Sequence, residues 1–213
     1  MTEVLISTPD AQLAGDLVVP DGAVGVVAFV HGSGSSRHSP RNTAVARGLQ
    51  QHGLATLLFD LLSAEEERAD AHTGHYRFDV GLLTTRLRTV VDRVAEYEHT
   101  RELPVGLFGA STGAAVALRV AAERPELIAA VVSRGGRPDL AGRPARRVRA
   151  PTLLIVGGRD EHVLELNRTV LADLTGVSEL HVVPGATHLF PEPGALDEVT
   201  ERAAAWFCTH LTG

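Results

Sequence analysis

The chain contains no lysine; all 20 residues in its Lys+Arg count are arginine. Against 26 acidic residues this gives a net charge of -6, and no basic block interrupts the sequence. Neither nucleic acid nor a membrane surface is therefore an expected partner. Cysteine is almost absent: Cys208 alone excludes an internal disulfide and any cysteine-rich metal site. No apolar run approaches the roughly 18 residues of a membrane helix. The opening "MTEVLISTPD" has no basic region leading into an apolar core, so a cytoplasmic location is expected. The rest of the composition, 44% hydrophobic and 22% charged, is ordinary for a globular protein. At 213 residues the chain suits one large core, and a single domain over 1–213 is expected.

Apolar runs alternate with helical patterns. "VGVVAFV" (24–30), "LATLLFD" (54–60), "LPVGLFG" (103–109), "LIAAVVS" (127–133), "APTLLIVGG" (150–158) and "SELHVVPG" (178–185) read as strands. Between and after them, 42–53, 78–98, 112–125, 162–174 and 195–211 have helical spacing, with Gly53 and Pro125 as stops. Continuous Val/Leu/Ile runs separated by helices predict a mostly parallel sheet covered on both faces. "EVLIST" and "LAGDLVVP" predict a hairpin that gives the sheet an antiparallel N-terminal edge. The stretch 61–77 shows no regular pattern and reads as a loop, with "EEE" as a solvated charge run and His72 and His75 over the mouth of a site.

"GASTG", residues 109–113, sets Ser111 between a predicted strand and a predicted helix. Small residues there permit a sharp turn that lifts a serine hydroxyl above the sheet edge. The N–H of Thr112, at the helix start, would face an oxyanion, and the N–H of Ser33 in "HGSGSS" is the candidate second donor. An acid is expected at Asp160 in "GGRDEH", with Glu161 beside it as the alternative. The base is expected at His188 in "GATH", on the loop before the last helix, whereas His181 lies inside a strand pattern. Candidate substrate contacts are His31, Arg37 and Arg41 around the glycine-rich loop and Arg134 at the end of "VVS". Arginines on one rim suit a carboxylate or phosphate, while the plainer alternative is solvated or ion-paired surface residues. Trp206 and Phe207 read as core-facing, and no metal is called for.

Strand–"HGSGSS", strand–"GASTG"–helix, strand–"GGRD" and strand–"GATH" together resemble the α/β-hydrolase fold over nearly the whole chain, in its order Ser111, Asp160, His188. The short chain without an inserted cap is similar to the dienelactone hydrolase group. "HGSGSSRHSPRN" and "VVSRGGRPDL" look like domains of that group that also occur fused to phosphoribosyltransferases. The group usually carries a cysteine in the elbow; here the elbow holds Ser111, and Cys208 falls in the terminal helix. The resemblance implies a cofactor-free serine hydrolase of an ester-like acyl bond in a small substrate. Thioester cleavage by the same triad, or a non-catalytic ligand-binding or partner-binding role on the same fold, are the alternatives.

Overall fold

Six apolar runs become six parallel strands. The computed structural model describes residues 1–212. Strands β3 (Gly25–Val30), β4 (Leu54–Phe59), β5 (Val105–Ala110) and β7 (Thr152–Gly157) are buried at every residue, as strands covered on both faces must be. β6 (Ile128–Arg134) lies between β5 and β7, and β8 (Ser178–Val183) follows β7. β1 (Thr2–Ser7) and β2 (Gln12–Val18) form the expected hairpin, and β2 pairs antiparallel with β4. The sheet order is β1-β2-β4-β3-β5-β6-β7-β8.

Helices α1 (Pro40–Gln51) and α6 (Ala195–Leu211) cover one face, where Val45, Leu49 and Phe207 meet Val27, Phe108 and Val132. α3 (Val80–Val94) and α4 (Thr112–Glu123) cover the other, with Leu87, Val91 and Leu118 packed on Val26, Leu57 and Leu107. α5 (Glu161–Leu171) closes the β7–β8 end. Phe207 is fully buried as expected, whereas Trp206 is half-buried and donates its indole N–H to the Pro151 carbonyl at 3.3 Å. His181, inside β8, is tied to Glu198 of α6 at 2.7 Å. No helix among the described residues is long and apolar enough to cross a membrane.

The segment expected as a loop contains a helix, α2 (Ala64–Thr73). Its start is a capping box: Ser63 Oγ accepts the Glu66 N–H, and the Glu66 carboxylate accepts the Ser63 N–H. Gly74 ends it in the left-handed conformation at φ 65°. Glu66 belongs to no solvated charge run, because both its oxygens accept from Arg86 of α3 at 2.6 and 2.8 Å. Within the helix, Asp70 accepts from the Tyr76 N–H at 2.6 Å and from Arg77 Nε at 2.5 Å, both beyond its end. His72 and His75 are exposed, and His75 meets Tyr76 edge-on.

Candidate active site

The turn that carries Ser111 begins with a close approach. A β-carbon on Gly113 would lie 2.1 Å from the Val30 carbonyl oxygen, and one on Gly109 would lie 2.5 Å from Ala114 Cα. Only glycine permits β5 to turn into α4 this sharply. Ser111 stands at the turn with φ 50° and ψ -122°, a conformation that costs about 1–3 kcal/mol for a residue with a side chain. Two hydrogen bonds hold it: Ser111 N–H to the Arg134 carbonyl at 3.2 Å, and Arg137 N–H to the Ser111 carbonyl at 3.0 Å.

Residue Arg134 ends β6, and Gly135 follows it beside the base candidate. A β-carbon on Gly135 would come within 3.6 Å of His188 Cε1. His188 Nδ1 is 2.6 Å from Asp160 Oδ2. Asp160 stands at the N-cap position of α5, yet its side chain makes no capping bond and turns to the imidazole instead. Glu161, its sequence alternative, is exposed. The His188 loop is pinned by a residue that the sequence did not single out. Glu192 accepts the Thr187 N–H at 3.1 Å and the Thr187 hydroxyl at 2.7 Å, and that hydroxyl hydrogen bond holds its carboxyl below the ordinary glutamate range. Phe190, buried at φ 54°, anchors the same loop from below.

The glycine-rich loop packs directly on the elbow: a β-carbon on Gly32 would lie 3.0 Å from Ser111 Cβ. Ser33 N–H points at the elbow but donates to Thr112 Oγ1 at 2.8 Å, and its own hydroxyl donates to the Arg77 carbonyl at 3.0 Å. In this state the Thr112 hydroxyl therefore accepts the bond expected for a substrate oxygen. Between this loop and α2 lies a cleft of about 20 Å³, room for a single water, lined by Ser33, Gly34, Leu62 and Glu67 among others.

Two of the expected substrate contacts are engaged elsewhere. Arg37 is bound to Asp60, with Asp16 at 3.4 Å and Glu3 at 3.9 Å, so it fastens the loop to β2 and the end of β4 rather than facing a ligand. His31 borders the cleft, but Nδ1 lies 3.0 Å from the Gly32 carbonyl and Nε2 accepts the Leu61 N–H at 3.0 Å. These bonds require the neutral ring with its proton on Nδ1, and burial holds the pKa below the ordinary histidine value. The neutral form favours the fold, so this contribution is complete above about pH 6.5 and is lost as pH falls toward the folded pKa. The melting temperature is accordingly expected to drop between pH 7.5 and 5.5, with a smaller drop for His31→Gln; equal drops in the two proteins would reject this account. Arg134 is 7% exposed and donates to Asn42 Oδ1 at 3.2 Å, with Arg41 beside it.

A model of the dienelactone hydrolase family matches residues 13–210. A Mycobacterium tuberculosis protein carried, in two strains, under the name phosphoribosyl transferase is 54% identical over 211 residues. The match covers 99% of this chain and 47% of that protein, so the chain spans about half the length of these curated relatives. The crystal structure of a dienelactone hydrolase from Anabaena variabilis superposes with a TM-score of 0.97 at 54% identity, covering 99% of this chain and 97% of that one. An α/β serine hydrolase without lid from Xanthomonas campestris shares the fold at 24% identity and a TM-score of 0.76, covering 100% of this chain and 95% of that one.

Proposed function

Because this chain belongs to the dienelactone hydrolase family, we propose that it cleaves a carboxylic ester or lactone of a small substrate through an acyl-enzyme on Ser111. Membership and fold support a hydrolase of the ester or lactone type. The observation that carries the finer reading is the 2.6 Å contact between His188 Nδ1 and Asp160, on the same sheet edge as a serine held at φ 50°. With its Nδ1–H donated in a hydrogen bond to the Asp160 carboxylate, His188 presents an unprotonated Nε2, the form a general base needs. It takes the Ser111 proton as Oγ attacks the acyl carbon, then returns that proton to the leaving alkoxide. Water repeats the sequence to release the acid.

The tetrahedral oxyanion is received by the Thr112 and Ser33 N–H groups once the Thr112 hydroxyl rotates away. Each donor is worth about 3 kcal/mol in comparable sites. The thioesterase alternative needs no other residue, so substrate trials include thioesters. The name of the mycobacterial relatives describes a chain about twice as long, and phosphoribosyl transfer is not assigned to this one.

The test is intact-mass analysis after treatment with a fluorophosphonate. One adduct is expected on the wild type and none on Ser111→Ala, with labelling of His188→Ala slowed by several orders of magnitude. An unlabelled wild type, or labelling that ignores both substitutions, would reject the mechanism and favour the non-catalytic alternative.

A further inference from the structure

Two buried arginines are treated differently by the fold. Arg86, fully buried, makes hydrogen bonds from Nε, Nη1 and Nη2 to Asp10, Glu66 and the Leu61 carbonyl. Arg134, 7% exposed, donates one bond, to the neutral amide of Asn42, and its Nε has no partner among the described residues. Its charged neighbour is another cation, Arg41, whose Nε is likewise buried without a partner. Burial first, and Arg41 second, push the Arg134 guanidinium down to about 10. An unpaired cation withdrawn from water is costly, and a second, half-buried cation beside it adds to that cost.

Their place gives the arrangement a purpose. The Arg134 carbonyl holds the Ser111 N–H, and the next residue, Gly135, adjoins the His188 ring. Arg41 and Asn42 lie in the first turn of α1, which holds no acidic residue; Pro40 begins it and the Ser39 hydroxyl caps the Asn42 N–H, so the positive end of the helix dipole adds to the two guanidiniums without a ring of free amides. The cleft on the α2 side of the glycine-rich loop, by contrast, is lined by Glu67 and Asp70.

We propose that Arg134, Arg41 and the first turn of α1 form an anion subsite beside Ser111, and that it holds a phosphoryl group carried by the ester substrate. Two guanidiniums and a helix start exceed the charge of one carboxylate. A doubly charged phosphoryl group balances them and offers three acceptor oxygens for two planar forks. The proposal rests on Ser111 as the nucleophile of an ester hydrolase.

Binding is measured by calorimetry in the Ser111→Ala protein, which has no nucleophile, with methylphosphonate and acetate as probes at mildly alkaline pH. Methylphosphonate is expected to bind at least about tenfold more tightly than acetate. That binding should be lost on adding Arg134→Gln and weakened by the half-exposed Arg41→Gln, which guards against a folding defect at Arg134. With Ser111 present, the preference in kcat/KM for 4-nitrophenyl 3-phosphonopropionate over 4-nitrophenyl butyrate should fall about tenfold or more in Arg134→Gln. Equal binding of acetate overturns the phosphoryl assignment. Absence of methylphosphonate binding while fluorophosphonate still labels Ser111 overturns the subsite and leaves the hydrolase reading standing. Binding without labelling upholds the subsite and removes the hydrolase.

Discussion

Replacing Asp160 by asparagine is expected to lower kcat by about four orders of magnitude on any ester the protein turns over, with little change in KM. The reason is the proton on His188. A carboxylate 2.6 Å from Nδ1 accepts a hydrogen bond from it, fixing the tautomer that leaves Nε2 free to receive the Ser111 proton. An asparagine amide presents N–H to the ring instead, moving the ring proton to Nε2, where it blocks the transfer. Geometry changes little, because the side chain of Asp160 supports nothing else: it does not cap α5. Glu161→Gln is the matched control. That residue is exposed, and its loss should change kcat less than about threefold, in keeping with surface substitutions elsewhere. Fluorophosphonate labelling rates, which need no known substrate, should follow the same pattern. A large loss in Glu161→Gln and a small one in Asp160→Asn would move the acid one residue along the chain.

How much of this site the sequence discloses depends on the range of the interactions that build it. The positions of Ser111, Asp160 and His188 after strand ends are readable because each follows an apolar run, and strands that end at one sheet edge bring their following loops together without further information. The elbow is readable because its glycines report a backbone collision. The arginines are not readable in the same way. Arg37 lies in the loop after β3 and Arg134 is the last residue of β6, yet Arg37 meets acids from β2 and the end of β4, whereas Arg134, among the described residues, meets Asn42 and Arg41. Nothing local to either residue carries that difference; it comes from partners 23 and 92 positions away. The sequence points to the Ser33 N–H as an oxyanion donor, but its partner in this state is a hydroxyl 79 positions distant. Helix α2 escaped for a related reason. "AEEERADAHT" has no apolar stripe, so periodicity gives no signal, and its stability comes from its caps and from ion pairs with residues outside it.

That dependence makes Arg86→Ala the substitution with the largest expected effect on stability. The side chain is fully buried and draws together Asp10 from the β1–β2 turn, Glu66 from α2 and the Leu61 carbonyl after β4. Its hydrogen bonds hold the Glu66 carboxyl below its ordinary range against the opposing effect of burial. Removing the cation leaves the largely buried Glu66 carboxylate facing a vacated site, with the solvent-screened Asp10 adding little; stripping a buried charge of its partner costs about 3–5 kcal/mol. For a chain of this size that corresponds to a fall of roughly 6–20 °C in melting temperature. The unpaired charge, rather than the lost volume, should dominate. Adding Asp10→Asn and Glu66→Gln to an Arg86→Met protein should therefore recover most of the loss, because a neutral, filled triad escapes the penalty of unpaired charge. Failure of the neutral triple variant to recover would assign the cost to packing. A second readout separates local from global damage. Glu66 both caps α2 and docks it, so Arg86→Ala should release the helix that shelters the Ser33 loop and speed amide exchange over 64–73 before the sheet opens. Protection that falls equally in α2 and in the central strands would show instead that Arg86 holds the whole sheet together.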